Sequence, residues 1–424
     1  TVRWFWPGSS KHPHFLKFYN IQGWKSKLFA SLTRLVFTIN AQGLLFRKAA
    51  YSVSGTSTLG SSLLDNQDWA VFTGTPGPNR KAILFIDNEG VGSFTKISMG
   101  ENSKSLIQNE IASLSFLKTT KKLSIEYPSV ISGGSEYVTF SDISAQTERV
   151  AEFTAAHEKC LIEIRNETLS ILPLNQLEIW KETKDRLRII KKTADSRIPK
   201  GLIRKLDMIA GEMDSDKYVD VTFSHGDFTP WNMFRNSNGN LTIYDWELAQ
   251  NEMPFGFDAF HFIIQNAILT EKKSWREIEC EISQTLFANS VLFSRYSPGQ
   301  QQMYLKLYLL INTVYYLSVY QRQAAWHSQV TWLINTWSEG ITSVLAPARK
   351  NRELVAMDLI DYALDKEYAI LKHDNSLPEL LSEFSDLDIC ISKMDYKRVA
   401  DYLKQHVLVR QRRSQQKSFM ATEQ

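Results

Sequence analysis

Residues 224–247, reading SHGDFTPWNMFRNSNGNLTIYDWE, constrain this chain more than any other stretch. Val219, Val221 and Phe223 alternate with Asp220 and Thr222, a period of two that predicts a strand. Such a strand would carry His225 and Asp227 out at its end, on a rigid support. After Asn232, the run Asn236-Ser237-Asn238-Gly239-Asn240 is dense in turn formers. Residues 241–244 then read as a returning strand that brings Asp245 back toward Asn232.

These positions carry a specific chemistry. Magnesium prefers oxygen ligands, and in phosphoryl transfer it takes only one or two from the protein and the rest from phosphates and water. Asn232 and Asp245 can supply those oxygens, and Asp227 is placed to accept a hydroxyl proton or to hold the hydroxyl in line with a phosphate. A single Asp here would read as a turn or cap residue. The ordered set His225-Gly226-Asp227, Asn232 and Asp245-Trp246-Glu247 has the form HGDxxxxN followed by DWE. It resembles the aminoglycoside phosphotransferase and choline kinase family of small-molecule kinases. That resemblance implies an α+β, two-lobed protein-kinase-like fold, with a small β-rich N-lobe and a mainly helical C-lobe. It also implies ATP and magnesium as cofactors and a small-molecule hydroxyl as acceptor. Within it Asp227 and His225 are the catalytic candidates, with His225 bracing the loop. Asn232 and Asp245 are the metal ligands, and Glu247 assists them.

Upstream, residues 69–72 and 82–86 read as strands around Gly74-Thr75-Pro76-Gly77-Pro78-Asn79. A third strand, residues 93–98, holds Lys96. Leu106, Ile107, Glu110, Ile111, Leu114 and Leu117 follow at helical spacing. In the family resembled, a strand lysine contacts the nucleotide phosphates and a helix glutamate holds it, which makes Lys96 and Glu110 the expected pair. Lys81 competes with Lys96 but is expected in the loop, facing solvent or phosphate. Gly74, Gly77 and Asn79 are the expected backbone contacts to the nucleotide. Pro76 and Pro78 depart from a GxGxxG loop and lack the N–H a phosphate needs. Arg80 and Lys81 can add charge there, while a plain hairpin turn is the other reading. Residues 137–142 correspond to the hinge of the family.

The rest is read more coarsely. Helices are expected around Val150–Ile164 and Leu202–Met213, and the aromatic stripe from Tyr304 to Tyr315 reads as core. Asp258 reads as an N-cap. The 49 basic and 46 acidic residues give no general nucleic-acid binder. Cys160, Cys280 and Cys390 form no ligand cluster and suit a reducing compartment, hence a cytoplasmic, membrane-associated or free, location. No apolar run is long enough to span a bilayer. Residues 1–50 hold eight basic side chains and no acidic one. Leu28, Leu32, Leu35, Val36 and Ile39 recur there at helical spacing, so this arm either lies on an anionic membrane or packs its stripe on the main domain.

Three segments follow: an arm, 1–50; a phosphotransferase domain, 51–345; and a segment, 351–424, that begins after a change of composition near Pro347. Asp386 and Asp388 alternate on an expected strand after a helix and strand, resembling the nucleotidyltransferases of the DNA polymerase beta type. The Gly-Ser pair and third carboxylate of that family are lacking, so the segment reads as a truncated α/β module without transfer activity. A phosphotransferase beside such a module suggests cell-surface polysaccharide metabolism. The rival class is a catalytically inactive pseudokinase acting as a nucleotide-binding or membrane scaffold.

Overall fold

The computed structural model describes residues 3–19, 24–47, 49, 68–120, 123–144, 147–213, 216–364, 366–371 and 388–409. It divides into two units, one of residues 1–169 and 222–253, the other of residues 170–221 and 254–424.

The first unit is built on an antiparallel sheet of β1 (Trp4–Phe5), β2 (Trp69–Phe72), β3 (Lys81–Asn88), β4 (Val91–Ser98), β5 (Val130–Gly133) and β6 (Tyr137–Ser141), in the order β1-β2-β3-β4-β6-β5. Glu89 and Gly90, both at positive φ, make the two-residue turn between β3 and β4, the geometry that follows the twist of a hairpin. Cross-strand partners share a face of the sheet. Ile83 therefore lies beside Lys96, and Lys96 beside Val138, while Phe94 faces both Phe85 and Phe140. Helix Glu101–Thr119 buries Ile107, Glu110, Leu114 and Leu117 along one side, the spacing read from the sequence. Strand Met233–Asn236 pairs with Leu241–Ile243 through the expected turn and with Thr147–Arg149 on its other edge.

The N-terminal arm belongs to this unit, and Trp4 and Phe5 extend its sheet. Helix Trp24–Thr38 packs through Ala30, Thr33 and Phe37, and Ala30 and Phe37 share a cluster with Phe15, Leu16 and Ala70. The stripe expected to pack is not the one that does: Leu28, Leu32, Leu35 and Ile39 are exposed. Small Ala30 and Thr33 allow close approach, and the aromatic rings of Trp6, Phe15 and Phe46 fill the contact beside Ala30 and Phe37.

The second unit is mainly helical. Helices Glu178–Thr193, Lys200–Glu212, Phe257–Asn266, Trp275–Ile282, Pro298–Tyr320, Ser328–Leu345 and Asn351–Ala363 bury Trp180, Leu206, Phe260, Trp275, Tyr308 and Trp337. The aromatic stripe of Pro298–Tyr320 is core, with Tyr304 and Tyr308 buried. Helix Asn351–Ala363 is fastened to the same unit by a fully buried ion pair between Lys205 and Asp358, which also receives Thr342 Oγ1 and contacts His406. The boundary expected near residue 350 is therefore bridged by buried charge. Beyond it, Tyr368–Leu371 pairs antiparallel with Asp388–Ile391, and helix Lys393–Gln405 follows. Asp388 opens its strand, exposed, and Asp386 lies outside the described residues. Among the described residues, no helix is long and apolar enough to cross a membrane.

Buried His157 gives the first unit a pH signature. Its Nδ1 accepts from the Thr154 backbone N–H at 3.0 Å, and Nε2 lies 3.2 Å from Met233 Sδ. Burial pushes the imidazole down from 6.5 to about 4. The unfolded chain therefore takes up a proton that the folded chain refuses, and stability contributed by the neutral ring is lost as pH falls from 6.5 toward 4. Between pH 7 and pH 5 this is about 2 kcal/mol. Urea denaturation of wild type and His157→Gln, which keeps an acceptor for Thr154, should show wild type losing more stability over that range by about that amount. Parallel losses would contradict the assignment.

Candidate functional site

The strand Tyr218–Ser224 ends in a loop that requires glycine at position 226. Gly226 has φ +79°, and a Cβ there would stand 2.2 Å from the Leu248 carbonyl oxygen. His225, fully buried, locks the loop on both sides: Nδ1 accepts from the Asp227 N–H at 3.2 Å and Nε2 donates to the Tyr244 carbonyl at 3.0 Å. These bonds fix its tautomer and its orientation. Asn232 Nδ2 donates to the Asp227 backbone carbonyl at 3.0 Å and to its Oδ2 at 2.8 Å. The carboxylate is thereby held in one orientation.

Asp245 follows the hairpin in the left-handed conformation, φ +69°, a costly backbone state for a residue other than glycine. Its position is fixed by neighbours. Trp246 is fully buried, its indole N–H donates to the Ile243 carbonyl at 3.0 Å, and its ring lies 4.5 Å from that of His225. The Trp246 backbone N–H donates to Glu110 Oε1 at 3.2 Å. Asn109 Nδ2 donates to the carbonyls of Glu247 and Ala249 at 2.8 and 2.9 Å. Helix Glu101–Thr119 thus holds the backbone on both sides of the DWE turn.

The charges converge on Lys96. Its ammonium donates to Glu110 at 2.6 and 2.9 Å and to Asp245 Oδ1 at 2.5 Å, with Glu247 at 3.7 Å. Lys81, the first residue of β3, forms an ion pair with Glu247. It therefore does not face solvent from the loop, because the strand begins one residue earlier than its pattern indicated. Burial works against the Lys96 charge, but Asp245, Glu110 and Glu247 outweigh it and raise its pKa. Burial likewise opposes ionisation of Asp245, yet Lys96 and Lys81 hold it well below the usual carboxylate range. Glu247 goes the other way: burial and then Asp245 push it up to about 7. Oxygen atoms of Glu110, Asp245 and Glu247 lie within 4.8 Å of one another. An all-oxygen set of this kind suits a hard divalent cation.

Beside this cluster is a cavity of about 320 Å³, within the range of small-ligand pockets. Phe72, Ile83, Phe94 and Phe140 line it from the sheet, and Phe234 from the hairpin. Lys96, Glu110, Asn232 and Asp245 form its polar end. Two walls were not foreseen. Lys17, Phe18 and Tyr19 of the arm enter the lining, with Lys17 bound to Asp142 Oδ2 at 2.7 Å and Ser144 Oγ at 2.9 Å. Arg149 enters as well, lying 4.3 Å over the Phe234 ring and donating to Tyr244 Oη at 3.0 Å. Nothing in their local sequence marks them, because they arrive by folding from distant segments.

The loop between β2 and β3 does not join this lining: Gly74, Gly77 and Asn79 are absent from it. The loop closes on itself instead. Arg80 N–H donates to the Gly77 carbonyl at 3.2 Å and Arg80 Nε to the Thr73 carbonyl at 2.9 Å. Gly74, φ +78°, sits against the Lys81 carbonyl.

No protein-family model matches the chain, and no curated protein sequence does. Among solved structures it is similar to choline kinase LicA from Streptococcus pneumoniae, at 14% identity over 64% of this chain and 93% of that one, TM-score 0.43. It is also similar to macrolide 2′-phosphotransferase type I, at 12% over 65% and 100%, TM-score 0.42. A third is APH(2″)-IIa in a ternary complex with streptomycin and ATP, at 12% over 69% and 97%, TM-score 0.44.

Removing the central cation should expose what it balances. Lys96→Met leaves buried Glu110 facing part-exposed Asp245 with no ammonium between them. Loss of one partner from a buried ion pair costs about 3–5 kcal/mol. Denaturant unfolding should register a loss of that order, and an unchanged midpoint would show that the three carboxylates do not depend on Lys96.

Proposed function

We propose that this chain is an ATP- and magnesium-dependent phosphotransferase that moves the γ-phosphoryl group to a hydroxyl of a small molecule. The observation that carries the proposal is one ammonium, Lys96, clamped by Glu110 and shared with Asp245, at the polar end of an apolar cavity that Asn232 also lines. The apolar walls suit a planar base, and the polar end suits a polyphosphate with its cation. Phosphoryl transfer asks a protein mainly for positioning and for charge placed where the transferring oxygens develop it.

Each residue has a place in that task. Glu110 holds Lys96 so that its ammonium meets phosphate oxygens without a search. Asp245 and Asn232 offer oxygens to magnesium, and Glu247 completes the acidic side of the site. Magnesium, when bound with the nucleotide, neutralises charge on the β- and γ-phosphate oxygens. Asp227, oriented by Asn232, accepts the acceptor's hydroxyl proton or holds that hydroxyl in line. His225 keeps the loop in register.

The acceptor is a sugar, a glycan precursor or an amino alcohol, as the HGDxxxxN and DWE resemblance implies. A setting in cell-surface polysaccharide metabolism follows from the neighbouring resemblance of residues 351–424, and a cytoplasmic location from the cysteine usage. The test is turnover. Wild type should hydrolyse ATP slowly and phosphorylate members of a hydroxyl-bearing panel of aminoglycosides, sugars and amino alcohols. Asp227→Asn should lose about 10²- to 10⁴-fold in transfer while ATP affinity stays within a few-fold. ATP binding without turnover in wild type, and no effect of Asp227→Asn, would replace the enzyme by a nucleotide-binding scaffold.

A further inference from the structure

Helix Trp24–Thr38 carries two apolar faces, and among the described residues only one of them is packed. At about 100° per residue, Ala30, Thr33 and Phe37 fall together and are buried. Trp24, Leu28, Leu32, Leu35 and Ile39 fall together on the opposite side, within an arc of about 80°. They are exposed by 72%, 53%, 50%, 56% and 63%. The next short helix, Gln42–Leu45, adds Leu44 and Leu45, both exposed. Monomeric soluble proteins rarely leave so many large apolar side chains side by side in water.

The charges beside this stripe say what covers it. Lys25 flanks it on one side and Lys27 and Arg34 on the other, all exposed, and Arg47 follows the second helix. Residues 1–50 contain eight Lys or Arg and no Asp or Glu. We propose that this face seats the protein on an anionic lipid surface, with the helix lying in the plane of the interface. There the leucines enter the acyl boundary, while the lysine and arginine heads reach back to the phosphates. Trp24, at the end of the stripe, has the amphipathic ring that favours the headgroup level. The helix has 15 residues, short of the roughly 20 that a span requires, so it lies on the bilayer and does not cross it. A second copy of the chain is a poorer occupant, because it would oppose one basic rim with another.

The experiment is vesicle flotation of the whole chain with phosphatidylcholine alone and with phosphatidylcholine containing phosphatidylserine. Wild type should float with the anionic vesicles and bind neutral ones at least 10-fold less, with binding reduced by salt. Leu28→Ser combined with Leu32→Ser, and separately Lys25→Glu combined with Lys27→Glu, should each lower binding to anionic vesicles by 10-fold or more. All four positions are exposed, so the variants should keep the wild-type near-UV circular dichroism and ATP turnover. Equal binding by wild type and both variants would overturn the proposal, as would no binding by wild type. So would a lipid-free dimer, seen by light scattering, that the leucine variant dissolves.

Discussion

The charge cluster around Lys96 is the constraint to which the first unit answers. Two ammonium groups, Lys81 and Lys96, meet three carboxylates, Glu110, Asp245 and Glu247. A buried charge without a partner costs several kcal/mol, so every element that contributes one is bound to the others. β3 and β4 supply the lysines from one face of the sheet, the long helix supplies Glu110, and the turn after the hairpin supplies Asp245 and Glu247. The set is short of one positive charge. Glu247 absorbs that shortage by keeping its proton up to about pH 7. Because the folded chain holds this proton and the unfolded chain does not, ionising Glu247 weakens the fold as pH rises from 4.5 through 7. A divalent cation among the same oxygens would remove the reason for that proton.

The structural elements that aim the site serve the same cluster. Glu110 binds Lys96 and also the Trp246 N–H, so one carboxylate joins the phosphate side of the proposed site to the metal side. His225 and Gly226 do comparable work for Asp227: one fixes the loop by two hydrogen bonds, the other admits the Leu248 carbonyl where any side chain would collide. The geometry of the proposed site is a product of backbone packing as much as of its charged groups.

Much of this was legible because it is encoded locally. Alternation in residues 219–223 and the turn formers at 236–240 fixed a strand and a hairpin, and the helical spacing from Leu106 to Leu117 set Glu110 on the inner side. Lys96 is singled out by the resemblance to a strand lysine followed by a helix glutamate, since its own strand would leave it an ordinary surface charge. What escaped depends on contacts between distant segments. Lys17 and Arg149 are ordinary basic residues in sequence and become cavity walls only through Asp142 and Phe234. Gly74, Gly77 and Asn79 are expected at the nucleotide from their turn alone, but the bonds that Arg80 makes back into that loop are not legible there. In the arm, apolar spacing identified a helix but not its buried side. The smaller residues Ala30 and Thr33 pack inward, while the leucines remain in water. Composition marks a boundary near residue 350, and the contacts that cross it, Asp358 with Lys205 and with Thr342, come from segments distant in sequence.

The account stands or falls on the link between Asp245, a divalent cation and the nucleotide. Calorimetric titration of ATP into wild type and Asp245→Asn, each with and without magnesium, measures that link before any acceptor is known. The account predicts binding that magnesium strengthens at least 10-fold in wild type and fails to strengthen in the variant. Binding by Asp245→Asn that matches wild type in magnesium would contradict it.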